Sequence, residues 1–279
     1  MLKQRVLTAI VLALLVLGTL FGLPAPWFAL FAAGVILVAA WEWANLAAAG
    51  RWLGLAFYGL MAAAMAWMFI GLGFVDPPLH LELVKQLLLV GCAWWAVALL
   101  WVQGYPSSAL LWGSTPVRLA MGMLVLLPAW LALSWLVTLE QGHWLVILVV
   151  LTVACADIGA YFCGRAFGRR KLAPEVSPGK TLEGFGGGLV LVLLVISVVI
   201  ALSPSQRHLW LQWTVVEVFT VLASVLGDLL ESMVKRHRGV KDSGKILPGH
   251  GGILDRIDSL TAALPVFALL YLLLIFPRL

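Results

Sequence analysis

LVLVLLVISVVIAL, residues Leu189–Leu202, decides the fold. A run this apolar, with Ser197 as its one polar side chain, has no wet face and cannot be an amphipathic surface helix. Working outward, Val6–Leu20 and Leu145–Ala156 read the same way. The whole chain of 279 residues is 63% hydrophobic and 11% charged, with a mean hydropathy of +1.04. Soluble domains are about 45–50% apolar and about 25% charged. A bilayer core needs roughly 20 apolar residues per helix, and lipid forces the backbone groups of such a segment to pair within it. A β-barrel is excluded because the runs do not alternate polar with apolar.

The expected fold class is therefore all-α, a polytopic membrane protein of about nine transmembrane helices. The candidate spans are 6–22, 28–48, 53–74, 85–102, 118–138, 143–163, 187–203, 212–234 and 259–276. Lys3 and Arg5 ahead of the first apolar run read as the flank of a retained span rather than of a signal peptide. Trp27, Trp52, Trp112, Trp144 and Trp213 lie near segment ends, as an aromatic belt or lipid-facing filler would. Cys92, Cys155 and Cys163 form neither a disulfide framework nor a zinc signature.

Charge sets the expected orientation. With a cytoplasmic N-terminus and alternating spans, every Lys and Arg except Lys85, Arg207 and Arg278 falls on the cytoplasmic side, 15 of the 18. That is the positive-inside pattern. It places two polar loops, 164–186 and 235–258, in the cytoplasm. Residues 1–140 read as an N-terminal transmembrane region without an assigned role, and 141–279 as the region that carries the chemistry.

Ionisable residues inside spans are functional candidates by default. Asp157, Glu217, Asp228 and Glu231 qualify. Asp228, Glu231, Ser232 and Lys235 share one helix face, as do Asp157, Tyr161 and Gly164. The stretch that follows, through Arg236, Lys241, Asp242, His250, Gly251, Gly252, Asp255, Arg256 and Asp258, mixes bases, glycines and carboxylates. Glycine-rich turns present backbone N–H groups to anions, and carboxylates beside a polyphosphate imply a shared Mg²⁺. A basic loop binding lipid headgroups is the plainer alternative, although it leaves the paired aspartates without a purpose. The other loop holds SPGKTLEGFGGG, residues 177–188. It is not a P-loop, because the first glycine of that motif would fall on Pro174. Gly186–Gly188 suit either an anion site at a helix start or close helix packing.

The pattern Ser232-x₂-Lys235-Arg236-x₄-Lys241-Asp242-x-Gly244-x₂-Leu247-Pro248-x-His250-Gly251-Gly252-x₂-Asp255-Arg256-x-Asp258 resembles the signature of the phosphatidate cytidylyltransferase (CDP-diacylglycerol synthase) family. Asp157-x₂-Ala160-Tyr161, Ser177-Pro178-Gly179-Lys180-Thr181 and Gly227-Asp228 are similar to further family features, with Gly179 standing where many relatives carry a second basic residue. The resemblance implies transfer of CMP from CTP to phosphatidic acid, giving CDP-diacylglycerol and pyrophosphate. It implies Mg²⁺ together with a second cation of unknown identity, and Asp228, Asp255 and Asp258 as cation ligands. Lys235, Arg236 and Lys241 would join these in catalysis. Ser177, Lys180, Thr181, His250, Gly251, Gly252 and Arg256 would bind substrate, with Asp157, Tyr161, Glu231 and Asp242 in support. The expected partners are CTP, phosphatidic acid, membrane lipids and a second copy in a homodimer, not nucleic acid. The expected location is a bacterial inner (plasma) membrane, crossed many times, with the site on the cytoplasmic side. A transporter of a phosphorylated metabolite is the alternative. The Asp-Gly-x₂-Ala-Arg motif of CDP-alcohol phosphotransferases is missing.

Overall fold

The computed structural model describes residues 2–75, 78–247, 249 and 251–278, with the backbone alone at 2–7, 9 and 278. The elements run α1 (Leu2–Gly22), α2 (Ala25–Leu46), α3 (Arg51–Gly71), α4 (Leu81–Gln103), the one-turn α5 (Ala109–Trp112), α6 (Thr115–Leu136), α7 (Gly142–Phe167), β1 (Lys171–Ala173), β2 (Ser177–Thr181), α8 (Leu182–Leu202), α9 (Trp210–Arg238) and α10 (Leu254–Leu274). A 3-10 turn, Pro204–Leu209, leads into α9. Eight of these helices are long and apolar enough to cross a bilayer, and α1 adds the shorter apolar stretch Ile10–Gly22. The all-helical, polytopic architecture expected from hydropathy is the one observed.

Helices α6 and α10 form the middle of the bundle. Their apolar windows are 72% and 61% buried, against 22% for α3 and α8, which turn outward. In a bilayer, packing and internal polar bonds hold helices together, because lipid tails are as apolar as leucine. Trp130 Nε1 accordingly donates to Ala29 O at 2.9 Å, and Trp43 Nε1 to Arg118 O at 2.7 Å, joining α2 to α6 twice.

Helix ends sort into two groups. Glu42 near the end of α2 bonds Leu254 at the start of α10, Arg118 of α6 bonds Leu46, and Lys180 before α8 meets Asp228 of α9. Trp112, after α4, packs at a tilt against His237 at the end of α9, with ring centroids 4.8 Å apart. At the opposite end, Phe21 of α1 packs edge-on against His143 and Trp144 at the start of α7, at 4.9 and 5.5 Å. Apart from Glu217, the described polar residues singled out in the sequence therefore gather at one end of the bundle.

Several boundaries differ from the expected ones. The 164–186 segment is not an open loop. α7 continues to Phe167, α8 starts at Leu182, and an antiparallel hairpin between them pairs Lys171 with Thr181 and Ala173 with Ser177. Thr181 caps α8 by accepting from Gly184 N at 3.1 Å, which starts the helix early. Glu183 accepts from the N–H groups of Arg169 and Arg170, at 3.0 and 3.1 Å, and folds the hairpin back onto that helix end. The second loop also shrinks. Lys235 and Arg236 are helical, and α9 stops at Gly239, whose φ of +72° suits a left-handed C-terminal cap. The aromatic belt is partial: Trp27, Trp52 and Trp144 are exposed, but Trp112 and Trp213 are buried.

Close packing is what Gly187 and Gly188 of the 186–188 run provide, while Gly186 faces open space. A Cβ on Gly188 would stand against Ala156 O, one on Gly187 against the Cys163 side chain, and one on Gly159 would lie 2.7 Å from Gly187 O. Helices α7 and α8 thus touch backbone to backbone, and this contact carries the hairpin to its place beside α9.

Candidate active site

Two adjoining groups of polar side chains lie at this end. The first borders a cleft of about 380 Å³ between α7, the hairpin, α8 and α9. Asp157, Tyr161, Arg165 and Lys180 give it a polar mouth, while Ala156, Phe185, Val221 and Val225 make its floor apolar. Lys180 Nζ pairs with Asp228 Oδ2 at 2.6 Å, and Asp228 Oδ1 accepts from Ser232 Oγ at 3.2 Å. Asp157 feels the charges of both Lys180 and Asp228 across the cleft. The Tyr161 hydroxyl accepts from Arg165 Nη1 at 3.3 Å.

The second group lies between α9 and α10. Lys235 Nζ sits 2.8 Å from Asp255 Oδ1 and 3.2 Å from Glu231 Oε1, with all three side chains nearly removed from solvent. Asp255 is fully engaged: Oδ2 accepts from Ser243 N at 2.9 Å, Ser243 Oγ at 3.0 Å and Gly252 N at 2.8 Å. A carboxylate offers about four lone-pair sites, so Asp255 organises its loop and has little left for a cation. Glu231 is the reverse case. It is buried, and neither oxygen makes an aligned hydrogen bond among the described residues, the Lys235 contact being an ion pair only.

Asp258 connects the groups. Its carboxylate lies close enough to Asp228 and Glu231 for their negative charges to act on one another. Gly227 allows this approach, since a Cβ there would lie 2.5 Å from Asp258 O. The result is a seam of five carboxylates, Asp157, Asp228, Glu231, Asp255 and Asp258, set against the ammoniums of Lys180 and Lys235. Carboxylates with acceptor sites still open are Asp228, Glu231 and Asp258. Among the described residues no three His, Cys, Asp or Glu converge as a ready-made metal cage. The carboxylate surplus and the spare acceptor sites of Glu231 nevertheless suit a divalent cation drawn in with its own water or phosphate ligands.

Other predicted residues take different places. Thr181 lines the cleft as expected, but its hydroxyl oxygen also caps α8. Ser177 sits at the far end of β2 and does not line the cleft. Arg236 Nε donates to Val176 O at 3.3 Å and ties α9 to the hairpin turn. Lys241, Asp242 and Arg256 are exposed, on the loop and helix start that flank Asp255 in the chain. Gly251 adopts φ +80°, a conformation that favours glycine. His250 lies outside the described residues. Glu217 belongs elsewhere: it accepts from Thr152 at 2.6 Å deep in the α7–α9 contact, about 16 Å along the helix from Asp228.

One participant had escaped the sequence reading. Glu42 of α2 is fully buried, yet its carboxylate reaches the second group. An acid alone in an apolar span was the available signal.

The comparisons with known proteins agree along nearly the whole chain. A model described as the cytidylyltransferase family matches residues 3–274. A protein of Pseudomonas aeruginosa named phosphatidate cytidylyltransferase is 46% identical over 270 residues, covering 97% of either chain. One of the same name from Haemophilus influenzae is 42% identical over 97% of this chain and 99% of its own. A third, from Bacillus subtilis, is 44% identical over 126 residues, 45% of this chain and 46% of its own. The transporter alternative finds no support among these relatives. With a match that runs from α1 through α10, the chain belongs to the cytidylyltransferase family.

Proposed function

We propose that the protein transfers CMP from CTP to phosphatidic acid, yielding CDP-diacylglycerol and pyrophosphate, at a site on the cytoplasmic side of a bacterial plasma membrane. The observation that carries this is the seam of carboxylates threaded by Lys180 and Lys235 where a cleft with an apolar floor meets the helix ends. The relatives' shared name supports the substrates, and the excess of Lys and Arg on the site side supports the orientation.

In the reaction a phosphate oxygen of the lipid attacks the α-phosphorus of CTP. A P–O bond forms there, and the bond to the β-phosphate breaks with its electron pair leaving on pyrophosphate. The nucleophile is already an anion, so no side-chain base is needed. The barrier is the meeting of two anions, and the chain's task is positioning and charge compensation. Lys180, held at the cleft by Asp228, can swing to phosphate oxygens without leaving the site. Lys235 is pinned between Glu231 and Asp255 and contributes a fixed positive charge. The exposed Lys241 and Arg256 attract the nucleotide to the mouth. The apolar floor accepts the lipid while its headgroup faces Asp157 and Lys180.

Asp228, Glu231 and Asp258 would hold Mg²⁺ through the acceptor sites left open on them, and the same carboxylates would take a second cation. When bound, such ions neutralise charge on the attacking and leaving oxygens. Asp255 supports them by fixing the loop and Lys235. The test is purified protein with CTP, phosphatidic acid and Mg²⁺, following pyrophosphate and CDP-diacylglycerol. The expected result is turnover that needs all three. Absence of product with properly folded protein would sink the assignment.

A further inference from the structure

The first 140 residues carry none of the residues assigned above, yet α2 places a fully buried carboxylate, Glu42, against the loop and helix that do. Glu42 Oε1 accepts from Ile253 N at 3.1 Å, and Oε2 from Leu254 N at 2.8 Å and from Ser243 Oγ at 3.1 Å. Ile253 and Leu254 open α10, and their N–H groups have no partner within the helix. A carboxylate there satisfies both and complements the positive end of the helix dipole. Helices are ordinarily capped by a residue of their own chain segment. Here the cap comes from a helix more than 200 positions away in sequence.

We infer that Glu42 is a positioning residue for the reaction, a cap supplied by α2 that fixes the start of α10 and the Ser243 loop, and through them the orientation of Asp255 and Asp258. Three further observations support it. Ser243 bridges Glu42 and Asp255 through one hydroxyl, whose single proton serves one carboxylate at a time while backbone N–H groups serve both. Gly252 is squeezed between them: a Cβ would lie 2.5 Å from Glu42 Oε2. This gives that glycine a reason independent of substrate. The end of α2 is itself anchored, since Trp43 donates to Arg118 O and Arg118 Nη1 donates to Leu46 O at 3.2 Å. No ion pair among the described residues reaches Glu42, so its partners are this cap and Ser243.

This inference rests on the proposed cytidylyl transfer only for its kinetic arm. Glu42→Gln keeps the shape but turns an NH₂ toward N–H or O–H donors. It is expected to lower kcat about 100-fold through misplacement of the site. KM for CTP should stay within about threefold, because the exposed bases that attract CTP are untouched. The Mg²⁺ concentration for half-maximal rate should rise, a change that general loss of folded enzyme does not produce. Independently of activity, amide exchange at Ile253 and Leu254 should quicken about tenfold, with α7 and α8 unchanged. If Glu42→Gln does not fold, Gly252→Ala pushes the loop off the same carboxylate and should give the same exchange signature. Wild-type exchange at 253–254 together with wild-type kcat in Glu42→Gln overturns the inference. An inactive wild type with the expected exchange pattern would overturn the proposed reaction instead, leaving the cap standing.

Discussion

Lys180 of the hairpin and Asp228 of α9 are joined by a 2.6 Å ion pair in which each side chain keeps about a quarter of its surface in solvent. The pair is sheltered enough to form and open enough to be exchanged. In the proposed reaction an arriving triphosphate would draw Lys180 away and leave Asp228 for a cation. Lys180→Met removes the phosphate ligand and leaves Asp228 unneutralised. Loss of transition-state stabilisation of about 2–3 kcal/mol is expected, a fall in kcat/KM of about 30- to 150-fold. Steady-state pyrophosphate release at varied CTP measures it, and an unchanged kcat/KM would remove Lys180 from the site.

Lys235 is a different kind of lysine. It is buried between Glu231 and Asp255, at 3.2 and 2.8 Å. Taking out one member of a buried charge network leaves its partners unpaired, at about 3–5 kcal/mol. Lys235→Met is expected to lose activity and thermal stability together, in a melting scan in detergent. Retained stability would mean that the pair is not buried as described.

Glu231 should dissociate these two properties. Its oxygens are buried without an aligned hydrogen bond and hold only the 3.2 Å ion pair to Lys235, which still has Asp255 if that pair is lost. Glu231→Gln keeps an oxygen for Lys235 and is expected to stay close to wild type in stability, while the half-saturating Mg²⁺ concentration rises about tenfold. Chelation with EDTA should abolish turnover in both proteins. Identical Mg²⁺ dependence in the variant would exclude Glu231 as a cation ligand.

The α7–α8 contact separates packing glycines from free ones. A Cβ on Gly159 meets Gly187 O at 2.7 Å, whereas one on Gly186 meets nothing within 4 Å. Gly159→Ala is expected to destabilise by about 1–3 kcal/mol through overpacking and to raise KM for CTP, because α8 carries the Lys180 hairpin. Gly186→Ala should be silent in both assays. Equal behaviour of the two variants would refute the backbone-to-backbone contact.

Hydropathy and charge, read along the chain, determined the helical bundle, its approximate spans and the end at which Lys and Arg collect. They could do so because bilayer thickness imposes a length, and exclusion of water imposes internal pairing, on every segment separately. The run Ser232–Asp258 likewise announced its chemistry through residue types at short spacing. What neighbouring residues do not encode is which donors and acceptors meet across the bundle. Tertiary structure alone decided that Asp255 is saturated by Lys235, Ser243 and Gly252 while Glu231 is left open, that Thr181 caps a helix, and that Gly187 and Gly188 serve packing. It also decided that Glu42 of α2 meets the start of α10 and the Ser243 loop. The Glu42–Leu254 bond spans 212 positions. No periodicity or local motif reaches that far, and only the packing of α2 against α6 and α10 brings the two together.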